Sequence, residues 1–220
     1  MPRQPLSVAK LLVRAGFAVL TAPLRLGYHC HSRLAGRANA FPSWSQALSL
    51  LPGRFGVYVR HAFYSGVLDD CGVDAWIGFG TIFSHPGARI GRLAYIGNYC
   101  SIGDAAIEED VLIASHVSVM NGCHQHGIER LDIPVREQTG VYERVSIGRD
   151  SWIGERATVA ANVGRHCIVG AGALVLKPVP DFAIVVGVPA KIVGDRRDHV
   201  RTVDDQPSAT AAEPVEYSHY

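Results

Sequence analysis

Residues 90–119 read IGRLAYIGNYCSIGDAAIEEDVLIASHVSV. An isoleucine or valine returns at Ile90, Ile96, Ile102, Ile107, Ile113 and Val119, in steps of six with a single step of five. Toward the N-terminus the step of six joins Ile77 to Phe83. Toward the C-terminus it runs through Ile147, Ile153 and Val159, then Val163, Val169 and Val175. The runs are separated by short slips: seven residues from Phe83 to Ile90 and four from Val159 to Val163. Four residues after each start comes a small or β-branched residue, such as Thr81, Gly87, Ala94, Cys100, Ala106, Cys123, Ala157 and Cys167. Glycine often follows the start directly, as at Gly78, Gly91, Gly97, Gly148, Gly154 and Gly170.

A period of six matches neither the 3.6 of an α-helix nor the two of an ordinary half-buried strand, and glycine this frequent opposes a helix. It fits a chain wound as a three-sided coil. Each short flat strand sends one large side chain inward, a small residue sits near each corner, and glycine, asparagine and aspartate suit the bends. Coils stack by parallel ladder bonds at about 4.8 Å and bury one another's faces. The reading is an all-β solenoid: a left-handed parallel β-helix of hexapeptide repeats over residues 71–180. An N-terminal helical extension over 1–70 precedes it, a short C-terminal cap over 181–201 follows, and the polar residues 202–220 read as a disordered tail.

The period vanishes between Val119 and Val145, where the chain reads MNGCHQHGIERLDIPVREQTGVYER from Met120 to Arg144. A long insertion in a strict solenoid is expected to leave the prism as a loop, here 120–144, and such loops carry function. This one holds His124 and His126. Among the other histidines, His85, His116 and His166 are expected on the faces of the repeats.

The chain has 220 residues, with 21 Lys and Arg against 20 Asp and Glu, a formal net charge of +1. That balance gives no global attraction to nucleic acid. Five widely spaced cysteines without a CxxC pair suit a reducing compartment better than a disulfide framework. His29-Cys30-His31 lacks a second pair at zinc spacing, so no metal is expected there. The uncharged run from Ala15 to Leu24 is too short to span a membrane. On a helix, Lys10, Arg14, Thr21 and Arg25 share one face, and Leu11, Leu12, Ala15, Val19 and Leu26 lie opposite. Residues 8–26 therefore suit peripheral contact with a membrane surface, or equally packing on the protein's own domain or a partner subunit.

The hexapeptide pattern, the looped-out histidines and the segment Val186-Gly187-Val188-Pro189-Ala190-Lys191 resemble the hexapeptide-repeat acyltransferases. Within that family the chain is most similar to the maltose/galactoside O-acetyltransferase and exopolysaccharide acetyltransferase branch. The resemblance covers residues 70–195. It implies acetyl transfer from acetyl-CoA to a hydroxyl of a small-molecule or glycan acceptor, in a cytoplasmic homotrimer whose sites lie between subunits. His124 matches the family's loop histidine best, with His126 as the alternative base and Asn121 as a donor or orienting group. Glu129, Asp132 and Glu137 are candidates to hold the imidazole tautomer. Trp152, Gly154, Ala171 and Gly172 match positions along the pantetheine arm, and Lys177 and Lys191 suit the nucleotide phosphates. The chain departs from the family at Ala160-Ala161-Asn162, where relatives place two more residues, and at Val188, where asparagine is common.

Two rivals come from other classes. A γ-type carbonic anhydrase would need three histidines on zinc, for which His116, His124 and His126 are available. A non-catalytic scaffold would leave the loop without a purpose. Within the family, serine or an amino sugar remains an alternative acceptor.

Overall fold

The computed structural model describes residues 8–200. The tail at 202–220, read as disordered, lies outside them. Four helices come first: α1 (Val8–Leu20), α2 (Ala22–Ala35), α3 (Arg37–Ser49) and α4 (Gly53–Tyr64). A left-handed β-solenoid of about six turns follows. Its strands form three parallel sheets. The first stacks β1 (Asp70–Cys71), β4 (Arg89–Ile90), β7 (Ala105–Ile107) and β10 (Val145–Ile147), and bridges continue it through Val163 and Val179. The second stacks β2 (Trp76–Ile77), β5 (Tyr95–Ile96), β8 (Leu112–Ile113), β11 (Trp152–Ile153), β13 (Ile168–Val169) and β15 (Ala183–Val186), closed by the antiparallel β16 (Lys191–Asp195). The third stacks β3 (Ile82–Phe83), β6 (Ser101–Ile102), β9 (Ser118–Val119), β12 (Thr158–Val159) and β14 (Leu174–Val175).

The large residues of the repeat are the core. Ile77, Ile90, Ile96, Ile102, Ile113, Ile147 and Ile153 are fully buried, each stacked on its equivalent one coil away. The small residues need a correction. The buried one lies two positions before the next large residue rather than four after the last: Ala88 before Ile90 and Ala105 before Ile107. The two rules coincide when the step is six. They part at the slips, where Gly87 and Ala106 are only half-buried and Cys123 is exposed. The reason is the pleat, since residues two apart on a strand face the same way.

The glycines after each start also have a different role from the one expected. None of Gly78, Gly91, Gly97, Gly148, Gly154 and Gly170 has a positive φ. A Cβ on Gly91 would stand 2.4 Å from the backbone of Glu108, and one on Gly78 2.4 Å from the carbonyl of Gly97. These positions are glycine because successive coils touch there. The left-handed bends fall instead three residues before the next core residue, on Asp74, Leu93, Tyr99, Asp110, His116, Asp150, Arg156, His166 and Phe182. His116 and His166 are therefore corner residues rather than face residues. Beyond the first coil each corner N–H reaches the coil below, such as Tyr99 to Phe79 O (2.8 Å), His116 to Asn98 O (2.9 Å), and His166 to Arg149 O (2.8 Å).

An open coil end exposes unpaired backbone and core. The helices close the first one. Tyr64 packs edge-on against Phe83 at 4.9 Å, backed by Phe41 and Phe63. Ser45 Oγ accepts from the Phe83 N–H (2.8 Å) and hydrogen-bonds the Tyr64 hydroxyl (2.9 Å). The buried Arg60 donates to Ile77 O (2.9 Å), Leu48 O (3.2 Å) and Leu51 O (2.6 Å), tying the end of α3 to the first coil. Burial without a carboxylate partner holds the Arg60 pKa below its usual value.

Candidate active site

The loop from Met120 to Arg144 leaves the prism at the edge between the third and first sheets. Its two limbs run antiparallel and pair through Val141 N–H to His124 O (2.7 Å) and Glu143 N–H to Asn121 O (3.0 Å). Its base is clamped by Arg144, which donates to Asp104 Oδ1 (2.9 Å) and Gly87 O (3.0 Å). At its tip, Gln138 Oε1 accepts from Arg130 N–H (3.0 Å) and its Nε2 donates to Arg130 O (2.7 Å). A loop this cross-linked presents its side chains from a defined frame.

The first limb does not swing free. Cys123 Sγ lies 3.5 Å from Ala160 O and 3.5 Å from Leu176 O, on the two coils above. On those coils the third-to-first corner is short, with only four residues from Val159 to Val163 and four from Val175 to Val179. The short corners make room for Cys123 to lie against the prism. The repeat pattern counts Cys123 among the small corner residues and does not show this contact, although the four-residue step is its visible signal.

His124 follows Cys123 directly and is exposed, as is His126. The His126 ring meets the Tyr142 ring edge-on at 6.4 Å. Asn121 is buried at the foot of the loop, and its Oδ1 accepts from Asp104 N–H at 2.5 Å. That contact joins the loop to the preceding coil. The three carboxylates expected to orient an imidazole are engaged elsewhere. Asp132 is bound by Arg130, Glu137 lies 3.7 Å from Arg136, and Glu129 accepts from Ile128 N–H (2.9 Å).

Lys177 adjoins Leu176, so it shares the edge with Cys123 and His124. Lys191 opens β16 next to Ala190, whose N–H reaches Leu174 O at 2.8 Å. Gly154, Ala171 and Gly172 meet at the opposite edge of the third sheet, where a Cβ on Gly154 would stand 2.5 Å from Ala171 N. Ala171 and Gly172 are exposed there. Trp152 stands half-exposed on the second sheet between Leu112 and Ile168. Within one chain the loop histidines and the Gly154–Gly172 edge are thus separated by the width of the third sheet.

One further cluster was not foreseen. His166 Nδ1 lies 2.8 Å from Asp150 Oδ2, which also accepts from Arg196 Nη1 (2.9 Å), and His166 stacks on Phe182 at 5.1 Å. It binds the C-terminal cap to the corners between the first and second sheets.

Comparison with known proteins completes the picture. The putative lipopolysaccharide biosynthesis O-acetyl transferase WbbJ of Escherichia coli is 32% identical over 157 residues, covering 64% of this chain and 76% of that protein. The chain belongs to the hexapeptide-repeat acetyltransferase family. A probable acetyltransferase of Mycobacterium tuberculosis is 31% identical over 134 residues, covering 57% of this chain, which in turn spans only 44% of that relative. A galactoside acetyltransferase solved in complex with coenzyme A shares the fold, with a TM-score of 0.61 at 21% identity, over 74% of this chain and 84% of that one. No family model matches the chain.

Membership in the acetyltransferase family bears on the rivals. His116 stacks on Tyr99 at 5.3 Å, on the corner between the second and third sheets, across the third sheet from the loop. Among the described residues no three His, Cys, Asp or Glu side chains are grouped to hold a metal ion. His31 Nδ1 accepts from the Trp44 indole N–H at 3.2 Å.

Proposed function

We propose that the chain transfers an acetyl group from acetyl-CoA to a hydroxyl of a sugar or exopolysaccharide intermediate. His124 is the general base, in a cytoplasmic homotrimer whose grooves lie between neighbouring prisms. The observation that carries this reading is the pinning of Cys123 to coils four and five, which fixes the adjacent, exposed His124 beside the shortened corner. The separation of His124 from the Gly154–Gly172 edge supports a groove built by two subunits, since closed threefold symmetry brings one edge of a prism to its neighbour. The glycan acceptor is supported by the O-acetyl transferase of lipopolysaccharide biosynthesis among the relatives.

The chemistry needs one proton moved twice. The His124 imidazole takes the proton of the acceptor hydroxyl as its oxygen attacks the thioester carbonyl. The tetrahedral intermediate collapses with cleavage of the C–S bond, and the imidazolium returns the proton to the departing thiolate. A backbone N–H or a loop amide, with Asn121 the candidate, stabilises the oxyanion. Pantetheine lies along Trp152, Gly154, Ala171 and Gly172, and Lys177 and Lys191 hold the phosphates. No acyl-enzyme forms, so Cys123 is a packing residue.

The test is release of free coenzyme A from acetyl-CoA across a panel of sugars, polysaccharide intermediates, amino sugars and serine. The expected result is turnover on a hydroxyl sugar, lowered about 10²- to 10⁴-fold in His124→Ala and retained in His126→Ala and Cys123→Ser. Full turnover in His124→Ala would overturn the base assignment. Turnover on serine alone would overturn the acceptor class, and stoichiometric zinc in the purified protein would favour the carbonic anhydrase reading.

A further inference from the structure

The first helix is turned inside out. A surface helix of a globular protein points its apolar stripe at the core. In α1 the inward face carries Lys10 and Arg14, both paired with Asp74 of the first coil, and Thr21 is buried at its end. Phe17 completes that face, stacking on Tyr58 at 5.1 Å and meeting Phe55 at 5.6 Å. The outward face is an uninterrupted apolar stripe of Val8, Leu11, Leu12, Ala15 and Val19, with Leu12 68% and Val19 75% exposed. In α2, Leu26 and Leu34 are likewise exposed, the latter 89%. The ion pairs to Asp74 fix this orientation, so the apolar side faces outward by construction.

Charge identifies what meets it. The first 68 residues hold eight Lys and Arg and no Asp or Glu, so 13 of the 21 basic residues and all 20 acidic ones come later. Lys10 and Arg14 are paired with Asp74, Arg37 with Asp69, and Arg60 is buried, so the outward positive charge of the helices rests on the arginines of α2 and α4. Arg33 adjoins Leu34, and Arg54 adjoins the exposed Phe55 on α4, which packs against α1. A second copy of this face would set two cationic layers against each other. An anionic lipid bilayer satisfies both properties at once, since apolar side chains enter the acyl boundary while arginines meet the headgroups. No helix among the described residues is long and apolar enough to cross a membrane, so the contact is peripheral. We propose that the outer face of α1 and α2 docks the protein on an anionic bilayer surface.

The test uses the full chain and vesicles of phosphatidylcholine, either alone or with about a quarter phosphatidylglycerol. The double substitution Leu11→Glu with Leu12→Glu changes only exposed positions, and circular dichroism confirms that its fold is kept. Wild-type protein is expected to co-sediment with the anionic vesicles. Partition should fall roughly tenfold or more on neutral vesicles, at high salt, and in the double variant. Acetyl transfer to a soluble acceptor should be unchanged in that variant, which separates this proposal from the one on His124. Wild-type protein left in the supernatant, or a variant that binds as well as wild type, would overturn it. So would a variant whose oligomeric state drops in sedimentation velocity, because the face would then cover a second copy.

Discussion

Two edges of the prism are invariant and the third is not. From first to second sheet the core residues step by six on all six coils, Cys71 to Ile77 through Val179 to Val185. From second to third sheet they also step by six, Ile77 to Phe83 through Val169 to Val175. From third to first the steps are seven, five, 28, four and four. The two strict edges share a left-handed corner residue whose N–H bonds the coil below, at Asp110, Asp150 and His166 on one and Tyr99, His116 and Arg156 on the other. The third edge has no such ladder, and variation in corner length is free to collect there. That is where the loop leaves, where Cys123 docks and where His124 is presented. The edge that stacking does not constrain is thus the one that carries the insertion and its histidines, while the Gly154–Gly172 edge keeps the strict step.

The sharpest way to break that comparison is to lengthen one corner of each kind. One glycine inserted after Asn98 would shift every following side chain on its strand to the other face and unpair the Tyr99 and His116 corners. Loss of cooperative unfolding is expected. One glycine inserted after Gly87, on an edge that already takes seven residues, should lower stability by about 1–2 kcal/mol and leave the transition cooperative. Urea unfolding followed by circular dichroism reads both. Equal effects at the two sites would remove the distinction between edges.

The core was legible because its spacing reports a strict geometric repeat: every residue from Ile77 to Val175 that opened a unit is buried. The family was legible in the same residues together with the loop histidines and the segment from Val186 to Lys191. What the spacing hid was tertiary. Gly78 and Gly91 read as bends, but the close approach of the next coil's backbone keeps them free of a Cβ. Leu93, Tyr99 and Phe182 bear left-handed backbones that no propensity assigns to them, each with its N–H bonded to the coil below. Lys10 and Arg14 read only as one face of a helix, and it is the distant Asp74 that turns this face toward the solenoid. Of the candidate site, the sequence offers His124 and His126 by their place in the insertion, whereas the Cys123 contact beside His124 depends on carbonyls 37 and 53 residues away.

The cysteines sharpen the comparison at intermediate scale, because they sample both environments. Cys100 and Cys167 occupy small core positions just past strict corners, and burial raises both thiols above their ordinary pKa. Cys71, in the first coil, is pushed up to about 12 by burial and the neighbouring Asp70 carboxylate. A raised thiol pKa leaves less of the reactive thiolate at pH 8. Cys123, on the variable edge, is exposed, as is Cys30. Iodoacetamide at pH 8 is expected to label Cys30 and Cys123 rapidly and the other three only after unfolding. Peptide mass mapping checks this, and prompt labelling of Cys100 would show that the strict edges open.

The smallest effect tests the corners themselves. Arg156 and Gly172 occupy the same corner on successive coils, with φ of 58° and 68°. A left-handed backbone costs a non-glycine residue about 1–2 kcal/mol, while glycine adds roughly 0.5–1 kcal/mol of unfolded-state entropy. Arg156→Gly relieves the strain and gives up only an exposed contact with Glu155 at 3.9 Å, worth little in water. It should therefore stabilise the protein by up to about 1 kcal/mol. Gly172→Ala meets no atom within 4 Å, so only the backbone opposes it, and it should destabilise by a similar amount. Thermal unfolding of the two variants would give melting shifts of opposite sign. Shifts of the same sign would mean that the corner residues are set by side-chain stacking and not by the left-handed turn.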